Sequence, residues 1–169
     1  PTSSTINQLS IGDSLAVATI SKKNVGKKDF KKFHPSGSLG AKLKTVEDLM
    51  LTKNKIPFIS ENSNMKEALK IITQKKLGTL IVKNSKGNTT GIITDGTIRR
   101  ANEQNKNLQK LSVKNVMTKN PICVSKEMLA EKALAIMNHE KITSLCVDND
   151  KNKTIGILHI HNILDAKIQ

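Results

Sequence analysis

The sequence contains no Trp and no Tyr, and only three Phe among 169 residues. Stacking of bases on successive aromatic rings, a common grip on single-stranded nucleic acid, is thereby excluded. A core must come from Val, Ile, Leu and Ala instead, and the chain is long enough to bury one. Long apolar runs are also lacking, since none approaches the ~18 residues that a membrane span needs; no membrane partner is expected. Cysteine is scarce: Cys123 and Cys146 lie in different apolar runs and read as two buried, reduced thiols of a cytoplasmic protein. Acidic residues are outnumbered, 14 against 28 Lys and Arg, which leaves a net charge of +14. The lysines are scattered from Lys22 to Lys167 rather than gathered in a block. That dispersion favours attraction of a phosphorylated or nucleotide ligand over a nucleic-acid track. No stretch has the form of a signal peptide. The chain opens on Pro1 rather than Met and reads as a fragment of a longer protein.

What the chain does have is a repeat. Ile56 to Ser60 matches Pro121 to Ser125, Leu77 to Val82 matches Ile142 to Val147, and Gly91 to Ile98 matches Gly156 to Ile163. Every pair is offset by 65 positions without a gap. Upstream, the run Val46 to Met50 reappears as Val113 to Met117. Two copies of one supersecondary unit predict a paired module with a pseudo-twofold axis.

Within each copy the pattern reads strand, helix, strand, strand, helix. In the first, Ile56–Ile59 is a short strand, and Asn64 with Glu67 forms a capping box ahead of the face Met65, Ala68, Leu69, Ile72. Leu80–Lys83 and Gly91–Thr94 are strands around a polar turn, Asn84–Asn88, and a helix starts near Thr97. The second copy repeats this with Ile122–Val124, Leu129–Met137, Leu145–Val147, a turn over Asp148–Lys153, and Ile155–Leu158. Asn102–Lys110 is polar and reads as a connector. Ahead of the repeat, Ser10–Ile20 has helical spacing after a Ser/Thr-rich loop, Thr2–Thr5. A short helix over Lys27–Phe33 must stop near Pro35, and Gly37 and Gly40 mark a loop.

The element order, with a strand ending Gly91-Ile92-Ile93-Thr94 and a helix directly after it, resembles the cystathionine-β-synthase (CBS) domain over about residues 45–169. Further motifs extend the resemblance over the whole chain. They are His34-Pro35-Ser36-Gly37-Ser38-Leu39-Gly40 with Lys42-Leu43, Ile11 to Ala18, Val46 to Met50, Thr94-Asp95-Gly96 before Arg99-Arg100, and Leu158-His159-Ile160-His161. Together they look like the C-terminal part of a D-arabinose-5-phosphate isomerase. The resemblance implies an α/β (α+β) fold in which residues 1–44 are the end of a sugar-isomerase (SIS) α/β domain. Residues 45–108 and 109–169 are then a tandem CBS pair. It implies the interconversion of D-ribulose 5-phosphate and D-arabinose 5-phosphate for Kdo and lipopolysaccharide synthesis, with His34 in the active site and no cofactor. The fragment alone is expected to be inactive, because the sheet that holds the sugar phosphate is not in it.

The turn at Thr94 to Thr97 exposes backbone N–H groups at a helix start, a setting suited to an anion. By resemblance, the candidate ligand-binding residues are Thr94, Asp95, Thr97 and Arg99, with His159, His161 and Asn162 in the second copy. Arg99 and Arg100 are expected to meet phosphates or to form a solvated helix face. The family holds the ribose hydroxyls with a carboxylate three positions after the Thr, but this sequence has Thr97 and Asn162 there. Loss of a charged acceptor costs about 1.5–3 kcal/mol, so tight binding of an ordinary adenosine nucleotide is not expected. His159 and His161 alternate along a strand end, but no third ligand stands at metal-site spacing, so no metal is expected. His139 is a helix-end residue. The expected partners are a small nucleotide or sugar nucleotide in the cleft and a second copy of the chain, as a homodimer through the CBS pairs and a tetramer in the longer protein. The competing readings are a free-standing CBS module that binds an adenosine nucleotide and a basic nucleic-acid-binding protein.

Overall fold

The computed structural model describes residues 2–26, 29, 43–104, 107–149 and 153–168. The chain divides into two compact units, Pro1–Leu43 and Lys44–Gln169.

The first unit carries helix α1 (Thr2–Lys22). It starts eight residues before the expected Ser10, so Thr2–Thr5 is helical and not a loop. Ser and Thr are only a few tenths of a kcal/mol poorer than the average helix former, and the apolar-rich run behind them carries the helix forward. Ser14 and Thr19 turn their hydroxyls onto the carbonyls of Ser10 and Leu15, each at 2.7 Å. No side chain of α1 is buried, and Ile6, Leu9, Ile11, Leu15, Val17 and Ile20 are all exposed. The expected helix over 27–33 and the loop at Gly37 and Gly40, with His34, lie outside the described residues except for Asp29, which is helical.

The second unit contains α2 (Val46–Leu49), β1 (Leu51–Thr52), β2 (Phe58–Ser60), α3 (Met65–Lys75), β3 (Thr79–Lys83), β4 (Thr89–Thr94) and α4 (Asp95–Gln104). The second half repeats them as α5 (Val113–Val116), β5 (Thr118–Lys119), β6 (Cys123–Val124), α6 (Ala130–Glu140), β7 (Ser144–Asp148), β8 (Thr154–His159) and α7 (Ile160–Asp165). Two four-stranded sheets result, in the orders β2-β3-β4-β5 and β1-β8-β7-β6. In each, the first strand of the copy runs parallel to the second, and the rest is antiparallel.

The outer strand of each sheet is exchanged. β1 precedes the first copy yet pairs with β8 of the second, and β5 precedes the second copy yet pairs with β4 of the first. The short helices follow the same rule. Val46 N–H donates to Met128 O at 2.8 Å, and Val113 N–H donates to Ser63 O at 2.9 Å. The crossing strand passes close above a glycine in each sheet. A Cβ on Gly91 would lie 2.5 Å from Met117 Sδ, and one on Gly156 would collide with Met50 Sδ.

The pseudo-twofold axis is visible in two hydroxyl pairs. Thr79 Oγ1 meets Ser144 Oγ at 3.1 Å, and Thr89 Oγ1 meets Thr154 Oγ1 at 2.6 Å. Both pairs are separated by 65 positions, the offset of the repeat, so equivalent residues face one another. Around them, Ile56, Ile81, Cys146 and Ile157 form an apolar cluster shared by the two sheets. The first copy's own core joins Met65, Ala68 and Ile72 of α3 to Leu80, Val82 and Ile93.

Asn64 caps α3 by accepting from Glu67 N–H at 3.0 Å, while Leu129 stands in the equivalent place before α6 without a side-chain cap. α4 begins at Asp95, two residues before the expected start. The connector is also less polar in effect than its composition suggested: α4 continues to Gln104, and Leu108 is buried in the first core. Cys146 is buried as expected, but Cys123 is exposed. The reason is position, since Cys123 lies on β6, the end strand of its sheet.

Candidate functional site in the cleft between the copies

The two strand-to-helix turns and the ends of the two long helices open onto one cleft of about 760 Å³. α3 and α6 both end on a lysine in the left-handed conformation, Lys76 at φ 56° and Lys141 at φ 54°. Such a cap is most often glycine, because a Cβ is strained there. Both lysines line the cleft. Behind Lys76, Gly78 has φ 60°, and a Cβ on it would sit 2.6 Å from Asp95 Oδ2. Only glycine allows α4 to begin so close, where Asp95 N–H donates to Gly78 O at 3.1 Å.

In the first turn, Thr94 Oγ1 accepts from Thr97 N–H at 3.3 Å and shares a hydrogen bond with Thr97 Oγ1 at 3.0 Å. In the second, His159 N–H donates to Asn162 Oδ1 at 3.1 Å, and His159 Nδ1 accepts from His161 N–H at 3.3 Å. The two turns are thus closed by the same trick, a side chain at the last strand position capping the helix that follows. The imidazoles of His159 and His161 lie 5.1 Å apart, tilted by 30°. Burial, and then the charge of His161, hold the His159 pKa below its ordinary 6.5.

Of the residues singled out from the sequence, Thr94, Asp95, His159 and His161 line the cleft. Thr97 does not; it is buried and bonded to Thr94. Asn162 is likewise spent on the cap of α7. Arg99 is absent from the lining and Arg100 is present, because adjacent residues of a helix diverge by about 100°. Reasoning from the sequence missed Lys76, Lys141, Thr118 and Asn120. A signal for the lysines was available: they stand at the repeat offset, directly before Leu77 and Ile142, where the matched runs begin. His139 lies in the last turn of α6 and meets Glu140 Oε1 at 2.9 Å. Among the described residues, no three His, Cys, Asp or Glu side chains are grouped to hold a metal, and no helix is long and apolar enough to cross a membrane.

A paired α/β module with exchanged outer strands and a cleft between its halves is the architecture of a tandem CBS pair, and the chain belongs to that family. The CBS domain model matches residues 46–103 and again 113–168. The chain is 39% identical over 171 residues to the arabinose 5-phosphate isomerase KdsD of Francisella tularensis, covering 100% of this chain and 52% of the relative. It is 37% identical over 169 residues to KdsD of Escherichia coli K12, covering 99% and 51%. The chain therefore spans about half the length of the curated relatives it matches. Among solved structures, CBSX2 in complex with AMP is 25% identical, with a TM-score of 0.65 over 74% of this chain and 96% of that one.

Proposed function

We propose that this chain is the CBS-pair region of an arabinose-5-phosphate isomerase, joined to the end of its SIS domain. The observation that carries this is identity of 37–39% along the whole chain, including the part before the CBS pair, to enzymes of that name. In this reading residues 1–44 belong to the SIS domain, 45–108 to the first CBS domain and 109–169 to the second. The longer protein exchanges D-ribulose 5-phosphate and D-arabinose 5-phosphate in the cytoplasm. Such an aldose–ketose exchange needs a base that moves a proton between C1 and C2 through an enediol, and a group that opens the sugar ring. His34 is the residue of this chain we assign to that work, since imidazole titrates near neutral pH. The CBS pair assembles the enzyme as a homodimer and, in the longer protein, a tetramer. Its cleft takes a small phosphorylated or nucleotide ligand that adjusts the active sites through differential affinity for two arrangements.

Two assays test this. The protein that carries this chain should convert D-ribulose 5-phosphate to D-arabinose 5-phosphate, and His34→Ala in it should lower kcat at least about a hundredfold. The chain alone should show no turnover. Absence of isomerisation by the longer protein would overturn the assignment. CBSX2 holds AMP, which supports a second reading, an adenosine-nucleotide module. Stabilisation of this chain by AMP alone, among AMP, ATP, CTP and arabinose 5-phosphate, would favour it.

A further inference from the structure

The two copies hold their first strands with different means. β2 pairs with β3 over three residues, Phe58–Ser60, and Lys83 Nζ covers the Phe58 ring. β6 pairs with β7 over only two, Cys123 and Val124, and among the described residues no strand lies on its other side. Where the first copy sets Phe58 opposite Ile81, the second sets Cys123 opposite Cys146 in the same parallel register. Residues paired in this way share one face of a sheet, with Cα atoms separated by the strand spacing of about 4.8 Å. That spacing lies inside the range of about 4.4–6.8 Å that a disulfide spans between Cα atoms. Both cysteines are free thiols. Cys146 is buried in the cluster with Ile56, Ile81 and Ile157, whereas Cys123 is open to solvent. One sulfur is reachable from outside, and its in-register neighbour is shielded. The rise of the Cys123 pKa, caused first by Cys146, is a second sign that the two side chains meet.

We propose that Cys123 and Cys146 are a modification site, a dithiol that a hydroperoxide closes to a reversible disulfide pinning β6 to β7. With hydrogen peroxide, the Cys123 sulfur attacks one oxygen and the O–O bond breaks. The second oxygen leaves as water with the thiol proton, and Cys123 becomes a sulfenic acid. The Cys146 sulfur then attacks the Cys123 sulfur and the S–O bond breaks. That oxygen leaves as a second water, carrying the Cys146 proton. Each sulfur gives up one electron, and the peroxide takes both. The first step is slow, because the Cys123 thiol donates to the Pro121 carbonyl at 3.3 Å and its pKa is raised. The second is fast, because the resolving thiol already stands in register. The bridge closes the loop from Cys123 to Cys146, which contains all of α6. It also anchors the strand that follows Asn120, Pro121 and Ile122, three residues of the cleft wall. In a reducing compartment the pair rests as thiols, and oxidation exchanges a two-residue strand pairing for a covalent hold.

The test is oxidation of the whole chain by hydrogen peroxide at pH 8, at a dose about a hundredfold beyond the one that consumes a free cysteine peptide. Intact-mass measurement should then show the loss of two hydrogens, and a non-reducing digest should yield one peptide pair joined through Cys123 and Cys146. Dithiothreitol should restore both thiols. The oxidised chain should melt about 5–10 °C higher than the reduced one, since the bridge restricts the unfolded state. In Cys146→Ala, Cys123 should keep one oxygen and be trapped by dimedone, whereas the parent should yield no dimedone adduct. Cys123→Ser changes an exposed position, so it should leave the melting curve of the reduced chain unmoved and abolish the rise on oxidation. Two thiols still titrating after the full dose would overturn the inference. So would a disulfide between two chains, or oxygen retained on Cys123 of the parent while Cys146 stays free.

Discussion

The two CBS copies share a backbone and differ in chemistry. The strands pair in the same register, β3 with β4 and β7 with β8, down to an irregularity at the same place, Val82/Lys83 and Val147/Asp148. At the turn that follows, one copy presents Thr94-Asp95-Gly96-Thr97 and the other His159-Ile160-His161-Asn162. On the central faces, Phe58 opposite Ile81 in the first copy becomes Cys123 opposite Cys146 in the second. Lys83 Nζ sits 3.1 Å above the Phe58 ring, a cation–π contact for which Cys123 offers no counterpart ring. Duplication has preserved what closes the fold, namely the hydroxyl pairs, the exchanged strands and the left-handed caps. It has let the turn residues that face the cleft diverge, while Lys76 and Lys141 stay matched.

Energetic equivalence of the copies is the first thing to break. Leu80 and Leu145 occupy matched positions and are both fully buried. Truncation to Ala should cost about 2–5 kcal/mol in either case. Urea unfolding should show one cooperative transition for both variants, because the sheets exchange strands and cannot melt separately. Two separated transitions in either variant would mean that the copies are independent domains. Next in size are the crossing glycines. Gly91→Ala drives a Cβ to 2.5 Å from Met117 Sδ and 2.9 Å from the Thr118 carbonyl, whereas at Gly156 the nearest backbone atom, Leu51 O, is 3.3 Å away. Overpacking should cost about 1–3 kcal/mol, and more at Gly91, where backbone as well as a flexible thioether must move. Equal losses at the two sites would show that Met50 and Met117 yield alike.

The repeat, three strands of each copy, the two helices α3 and α6 and the pseudo-twofold relation were legible in the sequence, because apolar period and turn residues set them locally. The strand exchange was not. β1 and β5 are two residues each, and nothing in Leu51-Thr52 or Thr118-Lys119 says which sheet they join. That is decided by tertiary contacts such as Val46 with Met128. For the cleft, Thr94, Asp95, His159 and His161 were found because they stand in motifs. Lys76 and Lys141 were passed over because a lysine after a helix looks like any solvated cation until its φ is known. Arg99 and Arg100 could not be separated, because the phase of a helix cannot be read from two adjacent residues, and only Arg100 lines the cleft.

The cysteine pair offers a smaller test. Hydrogen bonding of the protonated Cys123 thiol to Cys146, then burial, then Asp148 push its pKa well above the ordinary value. An exposed thiol usually alkylates through its thiolate, so Cys123 should react with iodoacetamide at pH 8 about tenfold or more slowly than an unhindered cysteine. Cys146→Ala removes the first cause and should speed the reaction. An ordinary rate in the parent chain would show that the two sulfurs do not interact.

The smallest effect concerns His159. Its folded pKa is depressed, so on acidification the unfolded chain takes up the proton first. The ligand-free protein therefore holds this contribution fully above the ordinary histidine value of 6.5 and loses it as pH falls through the lower folded value. His159→Thr makes the second turn resemble the first, since Thr94 shows that a hydroxyl there caps the following helix. That variant should keep α7 and lose less stability between pH 7.5 and 5.5 than the parent, measured by urea midpoint. Equal losses would clear His159 of the effect.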